Sequence, residues 1–205
     1  KGTILLSGEG INFFLAGLQS NVDAFVAYLE RDERFANIPL KRSYTDYQPF
    51  NRMNVRKKNE IISVGIDHIR PHEQTGEEIE PQAFKAILDA GQPVHVLDTR
   101  NDYELRVGTF DNAIDLDIRT FRAFPKAIES LPESMKDEPI VMFCTGGIRC
   151  EKASAIMMEA GFTNVKQLRG GVLGYFEQVG GDHWNGDYFV FDQRVAVNPS
   201  LEETE

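Results

Sequence analysis

The fold is decided by one stretch of sequence, Ile140-Val141-Met142-Phe143-Cys144-Thr145-Gly146-Gly147-Ile148-Arg149-Cys150. Its first four residues are apolar and predict a buried strand, two glycines follow the end of that strand, and a helical pattern begins near Cys150. A strand that leads through a glycine loop into a helix is typical of parallel sheets covered by helices. Because ligands of such sheets bind at the carboxyl ends of the strands, we expect the chemistry in the loop after Phe143.

The same alternation extends to both sides of this stretch. Further strands are predicted at 94–97, 113–116 and 165–168, and helices near 81–90, 102–107, 121–131, 150–160 and 171–179. Residues 75–180 are therefore predicted to form an α/β domain, a parallel sheet with helices on both faces.

Residues 1–70 predict a small α+β domain, of the ferredoxin/acylphosphatase-like type, that lacks an opening strand and helix. A hairpin is predicted from Thr3-Ile4-Leu5-Leu6 and Ile11-Asn12-Phe13-Phe14-Leu15. Asn21 is predicted to cap a helix over 22–31, and strands are predicted at 38–43 and 60–64. The polar residues 65–80 are interpreted as a linker. Residues 181–205 are interpreted as a C-terminal extension in which Trp184, Phe189, Val190 and Phe191 pack on the second domain.

Composition excludes several classes of protein. The 205 residues carry a net charge of −10, which excludes a uniformly basic nucleic-acid coat. No apolar run reaches the roughly 18 residues of a membrane helix. Two cysteines exclude a disulfide framework and a four-cysteine zinc site, and they indicate a reducing compartment, the cytoplasm. The four histidines show no metal-ligand spacing, so no metal site is predicted, and His95 is interpreted as a core residue.

Cys144 is the candidate nucleophile. The loop residues Thr145, Gly146, Gly147 and Ile148 can curl so that backbone N–H groups converge on the thiol, and Arg149 adds a positive charge. A pKa lowered from about 8.5 to about 6.5 would raise the thiolate fraction at pH 7 from roughly 3% to roughly 75%. The alternative is a small buried hydrophobic residue. Cys150 is either a resolving thiol or a packed helix residue, and the sequence leaves both readings open.

Residues 75–180 resemble the rhodanese domain. The resemblance rests on Asp98-Thr99-Arg100 with Glu104 and Gly108, on the Cys144 loop, and on Leu168-Arg169-Gly170-Gly171. In that family a loop of six residues, as from Cys144 to Arg149, is typical of sulfur or thiol chemistry, whereas related phosphatases have seven. Asp98, Arg100 and Glu104 are interpreted as a structural charge network in which Arg100 and Glu104 pair at i,i+4.

Nearly the whole chain resembles the bacterial tRNA uridine hydroxylases, rhodanese-containing enzymes. The motifs are Glu9-Gly10-Ile11-Asn12, the loop with its extension Glu151-Lys152-Ala153-Ser154, and Tyr188-Phe189-Val190-Phe191-Asp192-Gln193-Arg194-Val195. The resemblance implies 5-hydroxylation of the wobble uridine of tRNA, Cys144 as the essential residue, dioxygen as co-substrate and no bound cofactor. Members of that family have more sequence at both ends, which implies that this chain is the core of a longer protein.

A basic stretch between 41 and 58 is a candidate tRNA-binding surface. Its candidate residues are Lys41, Arg42, Tyr44, Tyr47, Arg52, Arg56, Lys57 and Lys58. Aromatic side chains can stack on unpaired bases and cations bind phosphates. The alternative is an ordinary solvated surface.

Two other functions fit the same sequence. One is a sulfurtransferase that carries a persulfide on Cys144 and needs no RNA-binding surface. The other is a non-catalytic RNA- or protein-binding module whose cysteine titrates like a free thiol.

Overall fold

The protein divides into two compact units. The computed structural model describes residues 1–36, 38, 40–192, 194–200, 202 and 204. The first unit comprises Lys1–Ile61 with Phe191–Arg194, and the second comprises Ile62–Val190 with Val195–Glu205. Each unit is described by itself.

The first unit is built on a three-stranded sheet of order β2-β1-β3. Strands β1 (Gly2–Ser7) and β2 (Gly10–Leu15) form an antiparallel hairpin, as predicted. Helix α1 (Gln19–Leu29) and a 3₁₀ turn (Glu33–Phe35) follow, and β3 (Met53–Lys57) then pairs parallel to β1.

Three predictions in the first unit are wrong. Asn21 does not cap the helix, because α1 begins at Gln19 and no side chain caps it. The described residues of 38–43 form no strand (Pro39 lies outside them), and 60–64 form none either. The third strand is β3, whose sequence Met-Asn-Val-Arg-Lys is mostly exposed at the sheet edge and therefore lacks the apolar pattern of a buried strand.

The second unit contains a parallel sheet of four strands in the order β4-β8-β7-β5. In chain order its elements are β4 (Glu77–Ile79), α2 (Pro81–Asp89), β5 (His95–Asp98), α3 (Asp102–Leu105), β6 (Gly108–Phe110), α4 (Phe124–Ala127), β7 (Ile140–Phe143), α5 (Ile148–Glu159), β8 (Val165–Leu168), α6 (Gly171–Val179), β9 (Trp184–Gly186), β10 (Tyr188–Phe189) and β11 (Ala196–Val197). The predicted parallel α/β class is confirmed.

Apolar cores lie on both faces of this sheet. Leu97 and Met142 belong to one core cluster, whereas Val96 and Phe143 belong to the other. Successive residues of a strand point to opposite faces, so a strand buried on both sides must be apolar throughout. That is why the run from Ile140 to Phe143 is continuous.

Several predicted boundaries in the second unit need correction. Part of the polar linker is β4, where exposed Glu77 and Glu78 leave only Ile79 buried and the parallel pairing with β8 is made by the backbone. The strand predicted at 113–116 is reduced to a bridge between Leu97 and Ile114. The helix predicted at 121–131 is a short α-helix between two 3₁₀ turns.

The C-terminal part of the second unit adds two short antiparallel pairs. Strand β9 pairs with β6, and β10 pairs with β11. Trp184 is buried, as the packing interpretation predicts, and Phe189 and Val190 are partly buried, whereas Phe191 is 45% exposed and belongs to the first unit. Gln193 lies outside the described residues. Among the described helices, none has the length and hydrophobicity to cross a bilayer.

Candidate active site

Cys144 lies directly after β7, at the carboxyl end of the parallel sheet, and its side chain is fully buried. The backbone N–H of Gly147 donates to Sγ of Cys144 at 3.2 Å. Gly147 has φ +99° and precedes the first residue of α5, Ile148. A positive φ is accessible to glycine, so this residue lets the chain turn back over the sulfur before the helix begins.

Arg149 lies beneath the loop and is paired with a carboxylate. Its Nη1 and Nη2 donate to Glu104 at 2.6 and 2.7 Å, and Nη2 also donates to the Thr145 hydroxyl at 2.9 Å. The Thr145 hydroxyl donates to Glu104 at 3.3 Å. The side chain of Arg149 is 7% exposed and that of Glu104 0%. The guanidinium therefore fixes the shape of the loop from inside.

The charge network predicted around Arg100 is present in part, because Asp98 is its partner but Glu104 is not. Arg100 forms a fully buried ion pair with Asp98 at 2.6 Å and donates to the Gly108 carbonyl at 2.7 Å. Its guanidinium also lies over the ring of Trp184, 5.1 Å from the centroid. The predicted i,i+4 pair of Arg100 with Glu104 is wrong, because Glu104 turns toward the loop and binds Arg149.

The surroundings of Cys144 favour its thiolate. Burial opposes ionisation most strongly, but the Cys150 S–H donor, the charge of Arg149 and the N–H groups of Arg149 and Cys150 outweigh it and lower the pKa of Cys144 to about 6. Burial, together with the thiolate beside it, raises the pKa of Cys150. Cys150 is also fully buried, with Sγ 3.6 Å from the Thr99 hydroxyl. The Cys150 thiol therefore stays neutral and donates its S–H to the Cys144 thiolate.

We expect an ultraviolet titration of the Cys144 thiolate to have its midpoint near pH 6, following the lowered pKa of about 6. At pH 7 roughly 90% of this thiol would then be ionised, against roughly 3% of an ordinary one. Cys150→Ala removes a donor and should move the midpoint upward. Cys144→Ser is the control that removes the signal, and a wild-type midpoint near 8.5 would contradict the expectation.

The loop packs against the first residues of α6. The N–H groups of Val172 and Leu173 donate to the carbonyls of Cys144 and Thr145 at 2.9 and 3.2 Å. Gly171 has φ +60°, and a Cβ on it would lie 2.4 Å from the Cys144 carbonyl oxygen. Only glycine fits this close approach of two backbones.

Gly171→Ala is expected to lower the free energy of unfolding by more than about 1 kcal/mol and to shift the Cys144 titration, because the loop must move away from the added methyl group. Gly91→Ala is the matched control, since Gly91 has φ +58° and nothing within 4 Å of an added Cβ. Thermal unfolding and the thiolate titration measure both effects. Equal losses in the two variants would show that the contact with the loop is unimportant.

The extension of the loop sequence holds the segment that leads into the sheet. Lys152 is 2% exposed and its ammonium donates to the Ile62 carbonyl at 3.0 Å. The Ser154 hydroxyl accepts from the N–H of Gly76 at 2.8 Å. Glu151-Lys152-Ala153-Ser154 thus has a structural use within the second unit.

Sequence reasoning missed two contributors to the site. The sequence predicts Arg100 as the partner of Glu104, and no local pattern indicates that the partner is Arg149, 45 residues further along the chain. Tyr188 is fully buried; burial raises its pKa, against the opposing effects of Thr145, Arg100 and Arg149 nearby. The aromatic, strand-forming residues around Tyr188 in the sequence predict packing, and they do not indicate that Tyr188 lies near the Cys144 loop.

The candidate tRNA-binding residues lie in the first unit. Most are exposed, with Tyr44 at 75% and Tyr47 at 40%. Arg42 forms an ion pair with Asp23 at 2.7 Å, and the half-buried Lys58 donates to the Ile61 carbonyl at 3.3 Å. Lys41 and Arg52 are exposed outside the strands, whereas Arg56 and Lys57 are neighbours on β3 and therefore point to opposite faces. The stretch stays a predicted binding surface.

In the described part of the chain no cluster of three or more histidine, cysteine, aspartate or glutamate residues has metal-site geometry. His95, interpreted as a core residue, is 34% exposed at the side chain and contacts Glu138.

Comparison with known proteins agrees with this architecture. Residues 1–61 match the family model described as UPF0176 acylphosphatase like domain, and residues 80–178 match the rhodanese-like domain. A tRNA uridine(34) hydroxylase of Cupriavidus pinatubonensis is 52% identical over 98% of this chain and 73% of its own length. The chain belongs to the tRNA uridine(34) hydroxylase family.

Other members of this hydroxylase family are similarly close. The protein of that name from Burkholderia cenocepacia is 49% identical over 100% of this chain and 75% of its own. Among solved structures, the rhodanese-like domain of an Anabaena protein is 23% identical, covering 55% of this chain and 80% of that one, with a TM-score of 0.45.

Proposed function

We propose that this protein is a tRNA modification enzyme that hydroxylates carbon 5 of the wobble uridine, with Cys144 as the reactive group. The observation that carries the proposal is the buried thiol that the loop amides and the Cys150 S–H hold as a thiolate, in a chain 52% identical to a tRNA uridine(34) hydroxylase. A thiolate is the form of cysteine that attacks an electrophilic carbon or carries sulfur.

Dioxygen is proposed as the co-substrate, with no bound cofactor, and tRNA as the partner. Hydroxylation replaces the C5–H bond of uridine by C5–OH with one atom of dioxygen. The other oxygen atom leaves as water, so two electrons and two protons must come from an external reductant. The basic residues between 41 and 58 are proposed to bind the tRNA backbone. The protein is proposed to act in the cytoplasm, because both cysteines are free thiols and the cytoplasm keeps thiols reduced.

The proposal is tested by mass spectrometry of tRNA nucleosides from cells that lack the full-length protein. Loss of 5-hydroxyuridine derivatives and their return on complementation with the wild-type gene is the expected result. Unchanged hydroxylation with altered thiouridine would instead assign the Cys144 loop to sulfur transfer. If neither nucleoside changes in cells without a redundant enzyme, the tRNA assignment fails.

A further inference from the structure

An exposed aromatic ring lies beside the active loop, in the second unit. Tyr103 on α3 is 39% exposed, and its hydroxyl accepts from Nδ2 of Asn101 at 2.8 Å. The ring packs edge to face on Phe189, with centroids 5.2 Å apart and an interplanar angle of 70°. These contacts fix the orientation of the ring while leaving part of it open to solvent.

Both residues of this aromatic pair are next in sequence to groups at the loop. Glu104 follows Tyr103 and binds Arg149 and Thr145. Tyr188 precedes Phe189, and the electrostatic effects of Arg149 and Thr145 act on its buried hydroxyl. Tyr103 and Phe189 are therefore each one residue from a side chain that lies at the loop carrying Cys144.

Exposed positive charges also lie near α3. Residues 118–128 contain Arg119, Arg122 and Lys126 and no acidic residue, in a chain of net charge −10. The N–H of Asp102, the first residue of α3, donates to the Ile118 carbonyl at 2.9 Å, which places Arg119 beside that helix. Both arginines are exposed, and within the described residues neither has an ion-pair or hydrogen-bond partner for its side chain.

We propose that Tyr103, held by Phe189, stacks on one unpaired base of the substrate RNA and that Arg119 and Arg122 bind phosphates of the same strand. The inference rests on the proposed function and adds an RNA contact on the catalytic unit. Unpaired bases offer a π-face that stacks on aromatic rings, and a ring already fixed by its neighbour loses little freedom on binding. The two cations compensate the negative backbone of that strand locally, where the acidic protein as a whole would repel it.

Binding of an unmodified anticodon stem-loop RNA to the whole chain, followed by fluorescence anisotropy, tests the stacking. Tyr103→Ala is expected to weaken binding about 5- to 150-fold, the equivalent of the ~1–3 kcal/mol of one stacked base. Tyr103→Phe should bind like the wild type because it keeps the ring. The matched control is Tyr28→Ala, since Tyr28 is 65% exposed on α1 of the first unit, and it should leave binding unchanged.

RNAs with an abasic site at each position of the anticodon loop identify the stacked base. At one position the removal of the base should abolish the effect of Tyr103→Ala, because the two changes delete the same contact. If Tyr103→Ala has no effect, or if its effect is the same on every abasic RNA, the stacking proposal is wrong.

The phosphate contacts are tested by salt dependence. Arg119→Ala combined with Arg122→Ala should reduce the slope of log K against log salt by about 1.4, about 0.7 for each single-strand phosphate contact. An unchanged slope would overturn this part. The proposed function can fail independently of the stacking proposal. It is overturned if RNA binding depends on Tyr103 but the wobble uridine is not hydroxylated. If Tyr103→Ala keeps the kcat/KM of the wild type, only the stacking proposal is overturned.

Discussion

Cys144→Ser is expected to abolish hydroxylation of tRNA, a loss on the order of a thousandfold or more in rate, while the fold stays intact. The serine oxygen can accept the Gly147 N–H that now reaches the sulfur at 3.2 Å, so the loop loses no packing. Its hydroxyl remains protonated near neutral pH, however, and the nucleophile is lost. Nucleoside mass spectrometry after incubation with unmodified tRNA measures the rate, and circular dichroism verifies the fold.

The neighbouring cysteine provides the matched control. Cys150→Ala also removes a buried sulfur from this loop, but it should only raise the pKa of Cys144, because the S–H donor to the thiolate disappears. Activity should then fall at neutral pH and recover as the pH rises. If the two variants behave alike, or if Cys144→Ser remains active, Cys144 is not the reactive group.

Glu104→Ala is expected to cost about 3–5 kcal/mol of unfolding free energy, because it leaves the buried guanidinium of Arg149 without its carboxylate. The two side chains are 0% and 7% exposed, so water cannot replace the lost partner. The control is Glu129→Ala, since Glu129 is an exposed glutamate of the same unit. Thermal or denaturant unfolding measures the difference, which we expect to be near zero for the control.

A double-mutant cycle separates the pair from its surroundings. Glu104→Ala with Arg149→Ala should be less destabilised than the sum of the single variants, because no charge is then left unpaired. Additive losses would contradict a direct pair. Arg149 holds the pKa of Glu104 below its ordinary value against the effect of burial. The stabilisation should therefore be complete above about pH 4.3 and should be lost as the pH falls further, through the folded-state pKa.

The sequence predicts the parts of the second unit whose residues are constrained by burial. Residues 140–143 and 165–168 were predicted as strands at the observed positions, and 171–179 as a helix. Residues 140–143 are apolar throughout and 171–179 are bounded by glycines, so their pattern is visible in the sequence, whereas 165–168 are apolar only at Val165 and Leu168.

Edge strands are much harder to predict. Strands β3 and β4 each contain mostly exposed residues and are held by backbone pairing with β1 and β8. No side-chain alternation marks such a strand, whereas residues 60–64, with the apolar Ile61, Ile62 and Val64, form no strand. Ile61, for instance, is buried, and its N–H donates to the Glu9 carboxylate at 2.7 Å.

The residues of the candidate site also differ in how far the sequence predicts them. Cys144 and its glycines were predicted from neighbours in sequence, because a loop before a helix is a local structure. The ion pair of Glu104 with Arg149 joins residues 45 apart and required the fold. That pair adds a second role to the positive charge predicted for Arg149, since the buried guanidinium also supports the loop.

We propose that the Cys144 loop hydroxylates the wobble uridine with oxygen from dioxygen. The most direct test incubates the purified full-length protein and unmodified tRNA under isotopically heavy dioxygen and measures the nucleosides by mass spectrometry. We predict heavy oxygen in 5-hydroxyuridine at the wobble position with the wild type and none with Cys144→Ser. Hydroxylation that proceeds equally with Cys144→Ser, or an oxygen atom that carries no label, would contradict the claim.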